Sequence, residues 1–417
     1  MKVLVVGSGG REHTIIWKLS QSKKVTEIIA APGNAGIMSL AKCFNVKATD
    51  LEGMLNLAKA EKPDMIVVAP DDPLSMGMVD LLTENGFSTF GPTKMAARIE
   101  SSKSFSKDLM KKYDIPTADY QVFTDSEKAI SYIKEKGAPI VVKASGLALG
   151  KGVVVATTEE MAIDAVNSIM GDKIFGNAGN EVVIEECLSG PEISVLAFTD
   201  GKVIVPMVSA QDHKRAFDND EGPNTGGMGA FSPSKYYTSE LAKECMDTIY
   251  LKTLNALNSE NCKFKGVIYF GLMLTAKGPY VIEYNARFGD PETQVVLTRL
   301  KSDLFDIFMS VIDETLSEQK IEWLEDAAVC VMMASGGYPL KYKTGLDITG
   351  LENVKDAIVF HSGTKIGENG KLQTAGGRVL GITTLSDTVL NAAQKAYENV
   401  AKIHFDNAHF RHDIGNK

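Results

Sequence analysis

A carboxylate, an amide and a guanidinium, Glu283, Asn285 and Arg287, recur at two-residue spacing in the tract 281–294, VIEYNARFGDPETQ. Read as a strand of period two, the tract turns these three to one face and Ile282, Tyr284 and Ala286 to the other. Glu283 and Asn285 then offer hard oxygen ligands of the kind Mg²⁺ takes while leaving positions for phosphate oxygens. Arg287 beside them suits a phosphate or carboxylate. Phe288, Gly289, Asp290 and Pro291 follow as a polar turn, where functional groups concentrate.

A second tract, residues 139–156, PIVVKASGLALGKGVVVA, places two β-rich runs around a glycine-rich turn carrying Lys143, Gly146, Gly150, Lys151 and Gly152. This pattern predicts a hairpin able to fold over phosphates. It is not a Walker A loop, because the lysine leads into glycine and a strand rather than Ser or Thr and a helix. Residues 211–215 (QDHKR) and 222–229 (GPNTGGMG) are long enough together for a functional loop able to close on 281–294.

The elements that must position these groups alternate. An apolar strand at 2–6 leads through Gly7-Ser8-Gly9-Gly10 into a helical pattern at 11–19, the opening of a βαβ unit. The turn suits an anion, although Glu12 stands where a dinucleotide fingerprint has its third glycine. Strands at 27–31 and 65–69, alternating with helices at 51–59 and 79–85, predict a doubly wound parallel sheet. Asp71 and Asp72 sit at a strand's carboxyl end, as ligand contacts or as helix caps. A helical stretch with Lys94, Lys103, Lys107, Lys111 and Lys112 reads mostly as a solvated face. Residues 181–188 (EVVIEECL) form a strand leading to Glu192. Beyond 327 come further strands and a helix over 387–403.

The chain has 417 residues, 44% of them hydrophobic, enough for several cores. Its 44 basic and 53 acidic side chains give a charge of −9, which argues against a nucleic-acid-binding surface. Five cysteines without C-x-x-C spacing speak against zinc and for a reducing compartment. No apolar run approaches 20 residues and the first ten lack a leader pattern, so a soluble, unexported protein is expected.

Together, KASGLALGKGVVV, QDHKRAFDNDEGPNTGGMGAFSP and VIEYNARFGDPETQ resemble the phosphoribosylamine–glycine ligase (glycinamide ribonucleotide synthetase) family of ATP-grasp enzymes. VGSGGREH, APGNAG, GPTK, GGYP, FHSGT, GGRVL and the terminal RHDIG extend the resemblance over nearly the whole chain in order. It implies an α/β and α+β protein: an N-terminal doubly wound domain (1–101), an ATP-grasp region (102–326) with a mobile lid at about 119–188, and a C-terminal α+β domain (327–417). The implied reaction joins glycine to 5-phosphoribosylamine with ATP, through glycyl phosphate, in de novo purine synthesis. Alternatives within and outside the superfamily are another carboxylate–amine ligase, a biotin-dependent carboxylase subunit, a non-catalytic nucleotide-binding regulator and, on Gly7 to Gly10 alone, an NAD-dependent dehydrogenase.

By the same resemblance Glu283 and Asn285 hold Mg²⁺ or Mn²⁺, and Arg287 stabilises the transferring phosphoryl group. Lys103, Lys143 and Gly150 contact phosphates, Glu186 and Leu188 hold adenine, and Glu192 holds ribose. Asp212 takes the glycine ammonium. Gly9, Gly10, Asn34, Gly36, Asp290, Pro291 and Arg378 border the phosphoribosylamine. A cytoplasmic monomer without nucleic-acid or membrane partners is expected. Ser145 and Leu149 depart from the family's KADGLAAGKG, and Asp71 from its VGPEAPL.

Overall fold

The computed structural model describes residues 1–148 and 152–416. The first sheet is all parallel, in the order Lys42–Cys43, Glu27–Pro32, Lys2–Gly7, Met65–Val68, Thr89–Phe90. Val3 and Val5 enter one core and Leu4 and Val6 another, because helices cover both faces of a parallel sheet. The strand order reverses beside Lys2–Gly7, so the turns after Gly7 and after Val68 open at one switch point.

A four-stranded antiparallel sheet follows, ordered Tyr120–Phe123, Val182–Glu186, Ile140–Ala144, Val153–Ala156. Ile140, Val142, Ala144, Val182 and Ile184 pack with residues of helices Ser126–Lys136 and Glu159–Val166. Alternation sends Lys143 and Glu185 to the opposite face. The two flanks of 139–156 therefore pair as a hairpin, as expected; Leu149, Gly150 and Lys151 lie outside the described residues.

The next sheet, ordered Ile204–Pro206, Glu192–Thr199, Gly266–Thr275, Gly278–Asn285, contains the metal-ligand candidates. Its last strand differs from the expectation in two ways. It ends at Asn285, so Arg287 lies in the turn beyond, and helix Glu292–Arg299 follows. Its register also slips: Gly271 pairs Glu283 and Leu272 pairs Val281, leaving Ile282 as a bulge. The extra residue switches the buried parity from Pro279 and Val281 to Tyr284 and Ala286. Ile282, expected in the core, is only half-buried.

The C-terminal strands do not make a sheet of their own. Ala327–Ala334, Arg378–Ser386 and Ile358–His361 are extended by Gly229–Ser232 and Gln211–Asp212 from the middle of the chain. Helix Val389–Val400, capped by Thr388, lays Ala392, Ala393, Ala396 and Val400 into this sheet's core.

Candidate active site

Three lysines converge between the second and third sheets. Lys143, on strand Ile140–Ala144, lies 2.9 Å from Glu185 and donates to the Ile282 carbonyl at 2.8 Å. Lys107 approaches Glu185 at 2.8 Å from helix Lys103–Lys112, which Ser102 caps. Lys107 is 2% exposed, which corrects its reading as part of a solvated face. Lys103, at the start of that helix, donates to the Gly146 carbonyl at 2.8 Å, and burial lowers its pKa despite the opposing Glu283. Ser145, where the family pattern has an acid, accepts from the Ser104 N–H at 3.2 Å and so ties the hairpin to this helix.

Glu283 faces these lysines and pairs with Lys214 at 3.2 Å. Burial alone would raise its pKa; Lys214, then Lys143 and Lys103, outweigh that and hold it at about 2. Lys214 also grips Glu192, and the two acids keep its ammonium well above the ordinary lysine range although burial opposes this. Asp212 lies within the field of Lys214 and Arg378. Arg287 donates to Asn285 Oδ1 at 2.9 Å and is anchored by Glu100 at 2.7 Å, with Asp71 at 3.9 Å. Glu100 and Asp71 outweigh burial and keep Arg287 protonated.

Among the described residues no three His, Cys, Asp or Glu side chains gather as a metal cluster. The ionised Glu283 carboxylate and the oriented Asn285 oxygen supply two hard donors, suited to an ion completed by water and phosphate oxygens.

The turn after Asn285 joins a second group. Asp290 accepts from the Arg11 N–H at 3.2 Å and from Gln294 at 2.9 Å, and pairs with Arg378 at 3.5 Å. Arg378 donates to the carbonyls of Gly226 (2.7 Å) and Asp290 (2.6 Å), fixing the glycine loop against Pro291. Gly227 adopts φ +109°, and a side chain there would strike Pro291. Gly9 donates its N–H to the Glu12 carboxylate at 2.5 Å, so two of the protein's own acids already occupy the Gly7–Gly10 turn. Asn34 bridges the Ser8 and His361 carbonyls at 2.7 and 2.8 Å while accepting from the N–H groups of Gly36 and Ile37.

The structure thus gathers Lys103, Lys143, Glu192, Glu283, Asn285 and Arg287 in one cleft. Gly9, Gly10, Asp290, Pro291 and Arg378 meet at the adjoining junction. Asn34 and Gly36 are tied to His361 nearby. Glu186, exposed, and Leu188, half-buried, lie at the end of strand Val182–Glu186. Gly150 falls outside the described residues. Glu185, Lys107, Lys214 and Glu100 were not singled out as site residues. An acid in phase with Val183, one strand away from Lys143, was the available signal for Glu185.

A lysine-lined cleft between two antiparallel sheets, beside a doubly wound N-terminal domain, defines a protein of the ATP-grasp class. A solved biotin carboxylase from Campylobacter jejuni, 13% identical, shares that fold with TM-score 0.74 over 98% of this chain and 92% of its own. The chain belongs to the phosphoribosylglycinamide synthetase family. It matches that family's N domain over residues 1–100, its ATP-grasp (A) domain over 101–293 and its C domain over 328–417. It is 49% identical over 418 residues to a phosphoribosylamine–glycine ligase of Halalkalibacterium halodurans, covering all of this chain and 97% of that one. A solved phosphoribosylamine–glycine ligase from Thermotoga maritima is 35% identical, with TM-score 0.84 over 99% of this chain and all of its own.

Proposed function

We propose that this chain ligates glycine to 5-phosphoribosylamine with ATP, giving glycinamide ribonucleotide, ADP and phosphate in de novo purine biosynthesis. The observation that carries the reading is the cleft itself. Lys103 and Lys143 face an ionised Glu283 and an Asn285 oxygen held by Arg287, in a member of this family.

A carboxylate resists attack by an amine, so the γ-phosphoryl group is first transferred to glycine. The amine then forms the C–N bond to the carbonyl carbon of glycyl phosphate, and the C–O bond to phosphate breaks. Such transfers depend on positioning and charge neutralisation. Lys103, Lys143 and the glycine hairpin around Gly150 neutralise the phosphates. Glu186 and Leu188 hold adenine and Glu192 the ribose. Arg287, immobilised by Glu100, donates to the transferring group without having to reorganise. Asp212 receives the glycine ammonium. Gly9, Gly10, Asn34, Gly36, Asp290, Pro291 and Arg378 border the phosphoribosylamine. Glu283 and Asn285 would hold Mg²⁺ or Mn²⁺, which would supply charge neutralisation at phosphate oxygens. The 222–229 loop (GPNTGGMG) encloses the reacting groups and excludes water, and about 119–188 serves as the lid.

No helix among the described residues is long and apolar enough to cross a membrane, and a cytoplasmic monomer is the form we propose. The test is ADP release with Mg·ATP and glycine, with and without freshly generated 5-phosphoribosylamine, following product by mass. Turnover requiring all three substrates is expected. ADP release that other amine acceptors support equally well would remove the substrate assignment.

A further inference from the structure

Glu185 is a carboxylate only 3% exposed, and none of the roles above uses it. Two lysines that are themselves buried meet on it, Lys107 at 2.8 Å and Lys143 at 2.9 Å. Each lysine continues to the bulged strand. Lys143 donates to the Ile282 carbonyl at 2.8 Å. Lys107 donates to Thr117 Oγ1 at 2.8 Å, and that hydroxyl donates to the Val281 carbonyl at 2.7 Å. The Val281 N–H in turn donates to the Pro116 carbonyl at 2.8 Å.

The two lysine routes therefore end on consecutive carbonyls at the one place where the strand leaves regular register. Bulges interrupt the ladder, and buried backbone carbonyls left by the ladder need other donors. The bulge also decides that Glu283, not its neighbours, faces the lysines. Without the intervening carboxylate, two adjacent ammonium groups in this cleft repel and lose the charge that compensates their burial.

We propose that Glu185 is a positioning residue that holds Lys107 and Lys143 together, locks the Ile282 bulge, and thereby sets Glu283 and Asn285 for Mg·ATP. The proposal rests on the ATP-dependent reading of the cleft but not on the identity of the amine acceptor.

The experiment is calorimetric titration of ATP, with and without Mg²⁺, on the full chain carrying Glu185→Gln, Lys107→Met, or both. Glu185→Gln is expected to weaken Mg·ATP binding about tenfold or more and to raise the Mg²⁺ concentration for half-saturation, in line with loss of one partner of a buried pair. The double variant is expected to lose much less than the product of the single losses, because residues acting through one another do not add. Fully multiplicative losses would mean that Glu185 meets the nucleotide independently, and the proposal would fall. Thr117→Val leaves every charge in place and cuts only one relay. It should raise the Mg²⁺ requirement by a smaller factor and leave metal-free ATP binding unchanged. Wild-type titrations in both Thr117→Val and Glu185→Gln would overturn the proposal. Wild-type ATP binding without glycinamide ribonucleotide formation would sink the ligase reading and leave this one standing.

Discussion

Two glycine-rich tracts of this chain look equally ready for an anion, and the fold treats them oppositely. At Gly7–Gly10 the helix N-terminus is filled from within: Glu12 takes the Gly9 N–H and Asp290 takes that of Arg11. At the 139–156 hairpin, Lys103, Lys107 and Lys143 converge with Glu185 and Glu283 as their acidic neighbours. How many backbone N–H groups stay open to an anion depends on the carboxylates that tertiary structure delivers, and one of those at the first turn comes from 279 residues away. The filled turn also weakens the dehydrogenase alternative, whose pyrophosphate would need those same N–H groups.

The contrast can be broken first in the cleft. Glu283→Gln keeps the shape and removes the charge facing three ammonium groups; kcat should fall about 10²–10³-fold, on the scale of losing a preorganised electrostatic contact. Steady-state rates at saturating ATP test this, and wild-type turnover at ordinary Mg²⁺ would refute the metal assignment.

The helix that leaves the filled turn should instead report through stability. His13 lies 6% exposed and accepts from the His361 N–H at 2.8 Å, joining the first and last parts of the chain. Burial, with a smaller push from His361, depresses its pKa from 6.5 to about 3. The unfolded chain therefore binds the proton more readily. Its contribution is complete above about pH 6.5 and is lost as pH falls towards 3, reaching about 2 kcal/mol by pH 5. Melting temperatures at pH 7 and 5 should differ more for wild type than for His13→Asn, whose amide oxygen can still accept from His361. Equal slopes would show that His13 is not the sensor.

The smallest effect is expected at the turn's own cap. Glu12→Ala should cost about 1 kcal/mol of stability, the usual scale for a lost cap. Denaturant titration measures it, and the KM for ATP should stay unchanged. A raised KM would mean that the two tracts are not separate in function.

Much of this was legible in local pattern. The apolar runs 2–6, 27–31 and 65–69 could only be buried parallel strands, and the lysine-and-glycine hairpin was evident from its two β-rich flanks. What escaped local reading was set by contacts distant in sequence. Lys107 looks like any lysine in a charged helix until Glu185 arrives across the cleft. Period two in VIEYNARF is correct on either side of Ile282 and fails at it, because the slip belongs to the pairing with Gly271 and Leu272. The Asn34 amide also joins two backbone segments, at Ser8 and His361, and only their spatial meeting reveals that.

The shared C-terminal sheet has a consequence for modularity. Gln211–Asp212 and Gly229–Ser232 lie in sequence inside the central region yet hydrogen-bond into the sheet built by Ala327–Ala334. A gene boundary placed between residues 233 and 326 would divide one sheet between two polypeptides, leaving Gly229–Ser232 on one and Ala327–Ala334 on the other without their pairing. Residues 327–417, about the last fifth of the chain, are thus no detachable cassette.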